Sequence, residues 1–292
     1  MPTTIQIAIA DFLIKLHAEH RIVLEEGYLP FVQTTENGAA DLTIECFQHI
    51  PALSFSDNEL IFEAENNDQK FYSIYRSTSG LVFVIYNQQD KNEVQQLALL
   101  DEDLSNWKIY STPLDNGDII PLKYPMGPII MHYMTVKSEA VMIHASCVVD
   151  EQKGRIFTGF SGAGKSTMSK IWADAGNSII NDDRLIIRRL NEHYYVYNTP
   201  MYYIDIPKKT ILDSIFLISH SPENNLKKLS GASAVSKVLA FCIQNNFDPN
   251  LIQNKLNFLS ELSVHVPVYE LGFVPDSSVV NFVLENETAG IK

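Results

Sequence analysis

The eight residues Gly159-Phe-Ser-Gly-Ala-Gly-Lys-Ser166 constrain this chain more than any other stretch. They match G-x-x-x-x-G-K-[S/T], and average composition makes such a match rare, on the order of one in a hundred chains of this length. Arg155-Ile-Phe-Thr-Gly159 reads as a strand running into the match, and Ser166 to Ala175 reads as a helix leaving it. That is the setting the pattern requires. Glycines let the backbone bend until several N–H groups point inward, and the following helix presents its positive end. Such a turn is a cradle for phosphate. Lys165 can place a point charge near the β- and γ-phosphates of a nucleotide. The Ser166 hydroxyl can complete the oxygen shell of Mg²⁺. The plain alternative is a Gly-rich turn with a solvated lysine.

The charge of the whole chain points the other way. Its 292 residues carry 22 Lys and Arg against 35 Asp and Glu, a net −13, with a pI of about 5.0. That field argues against nucleic acid or an anionic membrane as a partner. It leaves room for a small anion held by backbone N–H groups, a helix end and one lysine. Hydrophobic residues at 46% exclude a disordered chain. No stretch approaches the ~18 apolar residues of a membrane span, and Asp11 interrupts the N-terminal apolar run, so no secretory signal is expected. Cys46, Cys147 and Cys242 are far apart and odd in number. They predict reduced, buried thiols and a cytoplasmic protein.

Residues 1 to about 120 read as short strands between polar turns. Examples are Leu42-Thr-Ile-Glu-Cys-Phe47, Leu60-Ile-Phe-Glu-Ala-Glu65, Lys70-Phe-Tyr-Ser-Ile-Tyr75 and Leu81-Val-Phe-Val-Ile-Tyr86. The turn-rich Pro113-Leu-Asp-Asn-Gly-Asp118 suggests a boundary. Beyond it, Met126, Ile129, Ile130, Tyr133 and Met134 fall at helical spacing after Pro125. Ala140 to Val149 reads as a buried strand, and Ala232 to Gln244 as a helix. The expectation is a β-rich region over 1–120 and an α/β nucleotide-binding domain over 121–292.

Ile179-Ile-Asn-Asp-Asp-Arg184 places two acids after two apolar residues, as at the carboxyl end of a core strand, where ligand sites of open α/β sheets lie. One carboxylate could hold Mg²⁺ and the other could accept a proton from an attacking hydroxyl. An Asp-rich turn that merely caps a strand is the alternative. His144, inside the apolar strand before the loop, reads first as a satisfied core residue. His132, His193 and His220 show no ligand spacing.

Ile143-His-Ala-Ser146, Gly159 to Thr167 and Asn181-Asp-Asp-Arg184 together resemble the catalytic domain of bacterial HPr kinase/phosphorylase and its uncharacterised kinase-like relatives. The offsets of His144, Gly176 and Asp183 from Lys165 match that family. The resemblance implies an α/β C-terminal P-loop kinase-like domain of the HPr kinase/PEP carboxykinase type, preceded by the β-rich region. It implies that His144, Lys165 and Asp183 are catalytic, with Asp183 as proton acceptor. Gly159, Ser161, Gly162, Ala163, Gly164, Lys165, Ser166 and Thr167 would hold ATP, while Ser166 and Asp182 would hold Mg²⁺. The ATP-dependent phosphoenolpyruvate carboxykinases resemble the chain through a similar loop and aspartate pair, as fold kin. The pattern departs at Pro207-Lys208, where HPr kinase carries a glutamate-led signature, and the nearest acid is Asp205. Met201 stands where relatives commonly carry tryptophan, and the first half does not resemble the N-terminal domain of HPr kinase.

The expected activity is therefore transfer of the γ-phosphoryl of ATP to a hydroxyl acceptor on a protein, peptide or small molecule. Residues 1–120 would recognise the acceptor, and a homo-oligomer is left open. The alternatives are a nucleotide-binding regulatory module without transfer, a carboxykinase-like activity, and a structural protein with a fossil loop.

Overall fold

The computed structural model describes residues 2–34, 38–52, 58–66, 68–89, 93–243 and 248–289. The chain is a mixed α/β protein rich in sheet. It divides into two compact units: Met1–Met134 with Pro200–Ile206, and Thr135–Thr199 with Pro207–Lys292.

The first unit holds β1 (Thr3–Ile9), β2 (Phe12–Ala18), β3 (Leu42–Gln48), β4 (Glu59–Asn66), β5 (Gln69–Ser77), β6 (Gly80–Tyr86), β7 (Val94–Asp101) and β8 (Asn106–Ser111). They form one sheet in the order β1-β2-β3-β8-β7-β6-β5-β4. β3 shows why these segments are strands. Leu42, Ile44 and Cys46 are buried while Thr43, Glu45 and Phe47 face water, the period of two that a half-buried strand needs. Helix α1 (Met126–Val136) sets Tyr133 edge-on to Phe83 and Trp107, with centroids 5.1 and 5.9 Å away. That aromatic cluster explains why the compact unit runs to Met134, beyond the turn-rich segment that marks the boundary in the sequence.

The second unit holds β9 (Ala140–Asp150), β10 (Lys153–Thr158), α2 (Lys165–Asp174), β11 (Ser178–Asn181), β12 (Arg184–Leu190), β13 (His193–Asn198), β14 (Lys209–His220), β15 (Asn225–Leu229), α3 (Gly231–Leu239), α4 (Pro249–His265), β16 (Val268–Phe273) and α5 (Ser278–Ala289). The sheet runs β10-β9-β12-β13-β14-β16-β15, with β11 on β9. β10 also pairs with β14, which closes a ring through β9, β12 and β13. β14 is parallel to both β10 and β16, so these three strands end on one side.

Alternate residues of β10 and β14 feed two cores. Ile156, Ile215 and Leu217 pack with Val238 of α3 and Leu259 of α4. Phe157 and Phe216 pack with Met168 and Trp172 of α2 and Val279 and Val283 of α5. Each fully buried side chain of this size contributes about 1.5–3 kcal/mol, so the strand leading into the glycine-rich run is anchored on both faces.

α3 stops at Leu239, short of the helix expected through Gln244, which lies outside the described residues. The backbone of β9 competes for the chain there. Phe241 O accepts the His144 N–H at 2.9 Å, and Ile243 N–H donates to Met142 O at 2.8 Å. Among the described residues no helix is long and apolar enough to cross a membrane.

Candidate functional site

The turn after β10 is shaped by what glycine permits. A Cβ on Gly159 would lie 2.8 Å from Ile218 O and 2.9 Å from the Ala163 Cβ, so any side chain would push the loop off β14. Gly164 has φ 98° and starts α2 in the left-handed region with no side-chain cap. The start of the helix therefore keeps its N–H end open toward a ligand. Ala163 N–H donates back to Phe160 O at 3.0 Å and tightens the turn. Lys165 folds over it, with Nζ donating to Gly159 O at 3.0 Å and Phe160 O at 3.3 Å. Its side chain is buried, and that burial lowers its pKa while the negative charge of Asp183 opposes the shift. Ser161 and Gly162 are exposed at the loop tip, and Ser166 and Thr167 are exposed on the first turn of α2.

β9 is buried along nearly its whole length, and His144 is the exception. Its backbone is held on both sides: the Thr158 hydroxyl donates to His144 O at 2.8 Å, and Phe241 O takes its N–H. Register places Arg184 of β12 opposite His144, so Asp183, one residue earlier, arrives beside the imidazole. Ala145 N–H donates to Asp183 O at 3.0 Å. His144 Nε2 lies 3.6 Å from Asp183 Oδ1, and Arg184 Nε lies 3.2 Å from Asp183 Oδ2. The first distance is too long for a hydrogen bond. Burial lowers the pKa of His144, Lys165 and Arg184 lower it further, and Asp183 opposes them. The imidazole is therefore neutral at pH 7, and the contact is one between a neutral ring and a carboxylate.

The turn carrying the two acids is fixed from below. Asn181 Nδ2 donates to Arg184 O at 3.1 Å, and its Oδ1 accepts the Asp182 N–H at 2.7 Å. The Thr199 hydroxyl donates to Arg184 O at 3.0 Å. Asp182 is exposed and Asp183 half-buried. His144, Lys165 and Asp183 thus come into one electrostatic neighbourhood. Asp205 belongs to Pro200–Ile206, in the first unit.

Three contributors carried no role in the sequence reading. Arg184 and Asn181 flank the aspartates; strand register sets Arg184 opposite His144, and hydrogen bonds to Arg184 O and the Asp182 N–H set Asn181 under the turn. His220, at the end of β14, stacks on Phe273 with centroids 5.2 Å apart, and its ring lies against Gly164. Nothing in the sequence links those two positions.

Among the described residues no three His, Cys, Asp or Glu side chains gather as a metal cluster. The exposed Ser166 and Asp182 offer oxygen donors, which suit Mg²⁺. That ion usually takes one or two carboxylates and completes its shell with substrate phosphates and water. Oxygen donors of this kind are the type Mg²⁺ takes when it arrives with a nucleotide.

Residues 129–199 match the family model of phosphoenolpyruvate carboxykinase. That stretch contains His144, the whole glycine-rich run and both aspartates. It supports the kinship with the HPr kinase and carboxykinase group that the motifs suggest. The curated proteins contain no match to this chain. Among solved structures, the Hpr(Ser) kinase/phosphatase from Coxiella burnetii is similar at 11% identity, with a TM-score of 0.32. The similarity covers 51% of this chain and 97% of that one. A score that low gives the structural likeness no weight.

Proposed function

We propose that this chain is a Mg²⁺-dependent, ATP-binding kinase that moves the γ-phosphoryl group onto a hydroxyl of a protein, peptide or small molecule. One observation carries this reading. The Lys165 ammonium is held over the mouth of the glycine-rich turn by two carbonyl oxygens, within electrostatic reach of Asp183. Phosphate oxygens are stronger partners for an ammonium than neutral carbonyls.

The backbone of Gly159, Ser161, Gly162, Ala163, Gly164 and Thr167 would wrap the phosphates, with Lys165 on their outer charges. Ser166 and Asp182 would hold Mg²⁺, which supplies charge neutralisation when bound. Asp183 would take the proton of the attacking hydroxyl through Oδ1, because Oδ2 is engaged by Arg184. Neutral His144 would orient or stabilise the transferring group without adding a competing charge. Such a site works by positioning and electrostatic stabilisation. The β-rich first region would recognise the acceptor, and the cytoplasm would be the setting.

Nucleotide binding without transfer is the second reading. The Asp183–Arg184 ion pair favours it, because it draws on the lone pairs a base needs. Transfer of labelled γ-phosphate to a panel of hydroxyl acceptors separates the two. Asp183→Asn should keep Mg·ATP affinity and lose about 10²–10⁴-fold in transfer. Lys165→Ala should lose Mg·ATP binding. Full affinity in Lys165→Ala ends both readings, and a wild-type chain that binds but never transfers leaves only the second.

A further inference from the structure

Phe160, the second residue of the glycine-rich run, is 77% exposed. Its ring meets Phe241 edge-on, with centroids 5.2 Å apart. The two rings stand at one side of a cleft of about 580 Å³, where the carboxyl ends of parallel β10, β14 and β16 come together. Open α/β sheets take ligands at such crevices, and the volume suits one small molecule. Leu217 and Ala240 give the cleft an apolar wall, and Asn225 and Ser221 supply polar atoms.

Three observations choose the occupant. First, neither His144 nor Asp183 lines the cleft. A hydroxyl acceptor has to reach Asp183, so its reacting end belongs elsewhere. Second, the Lys and Glu side chains lining it, Lys237 and Glu270, are ion-paired to each other. They offer no net charge to a carboxylate or phosphate. Third, Gly159 and Phe160 of the loop line the cleft, and His220 lines it and also faces Gly164, so the cleft borders the loop and the start of α2. The occupant is therefore uncharged and tethered to the phosphates, and the exposed Phe160 ring beside Phe241 suits a flat one.

We infer that this cleft seats the nucleoside half of the nucleotide, with the base against Phe160 and Phe241 and with His220 beside its link to the phosphates. The inference rests on the phosphate-binding reading of the loop given above. Ligand-specific binding tests it, with ATP and inorganic tripolyphosphate each titrated calorimetrically into the full chain with Mg²⁺. Phe160→Ala removes the exposed ring, and Ala240→Trp fills the cleft from an exposed position on its wall. Both should weaken ATP about tenfold or more and leave tripolyphosphate within about twofold. ATP affinity unmoved in both variants, or equal losses for both ligands, overturns the assignment while leaving the phosphate loop intact. Unchanged ATP binding with lost transfer also overturns it and gives the cleft to the acceptor. A wild-type chain that binds neither ligand removes the loop reading and the cleft with it.

Discussion

Arg155, near the start of β10, and Lys165, just past the other end of that strand, are both buried cations, and they are answered differently. Arg155 is 1% exposed. Its guanidinium reaches both carboxylate oxygens of Glu287 on α5, lies 3.4 Å from Asp150, and sits 5.3 Å over the Trp172 ring. Lys165 donates to two backbone carbonyls. Under the proposed function, the contrast separates a structural charge from one kept for a ligand. A carboxylate folded onto Lys165 would satisfy it as fully as Glu287 satisfies Arg155, and would then compete with phosphate for it. Carbonyl oxygens hold the ammonium in place and yield to a stronger anion.

The largest effect expected is on the Arg155 side. Glu287→Ala leaves a buried guanidinium with only the more distant charges of Asp150 and Asp213 to answer it, and should cost about 3–5 kcal/mol in urea unfolding, toward the lower end. Lys165→Met should change stability by less than about 1 kcal/mol, since a buried amine with neutral partners gives up little. Equal losses in the two variants would mean that the two cations are held alike.

Lys255 on α4 sharpens it. This third cation is buried, donates to Ile243 O at 2.7 Å, and burial pushes its pKa down to about 8 from 10.5. Between those values the unfolded chain keeps a proton that the folded chain has released, so stability should rise with pH across that window. The rise amounts to roughly 3 kcal/mol. Lys255→Met should flatten it, and a slope that survives the substitution rules Lys255 out as its source.

The smallest effect is on His144. Its pKa lies below the ordinary 6.5, lowered by burial and then Lys165, and supported by Asp183. The imidazole resonances should therefore titrate upward in Lys165→Met and downward in Asp183→Asn. Shifts of the same sign in both would mean that His144 is not poised between a cation and an anion.

The readable parts of this chain were those whose constraints lie within a few residues. Gly164 must accept a positive φ and Lys165 must follow it, so the turn is written locally. Strand β3 declares itself by alternation and β4 to β6 by β-branched or aromatic content. The end of α3 was not readable, because the hydrogen bonds that draw Phe241 and Ile243 away from the helix come from β9. The extent of the first unit was hidden for a similar reason: Tyr133 belongs to a helical pattern by sequence and to the Phe83–Trp107 cluster by packing.

What could be read along the chain was a strand, a glycine-rich turn and a helix in succession, with two acids following at a strand end. Tertiary structure alone decided that Arg184 would stand opposite His144 and carry Asp183 to it. It also brought Phe241 and His220 to the flanks of the loop. The physical reason is range. Backbone torsions and helix ends act over one turn of chain, whereas a side chain's partner depends on strand register and on which face of the sheet each helix covers.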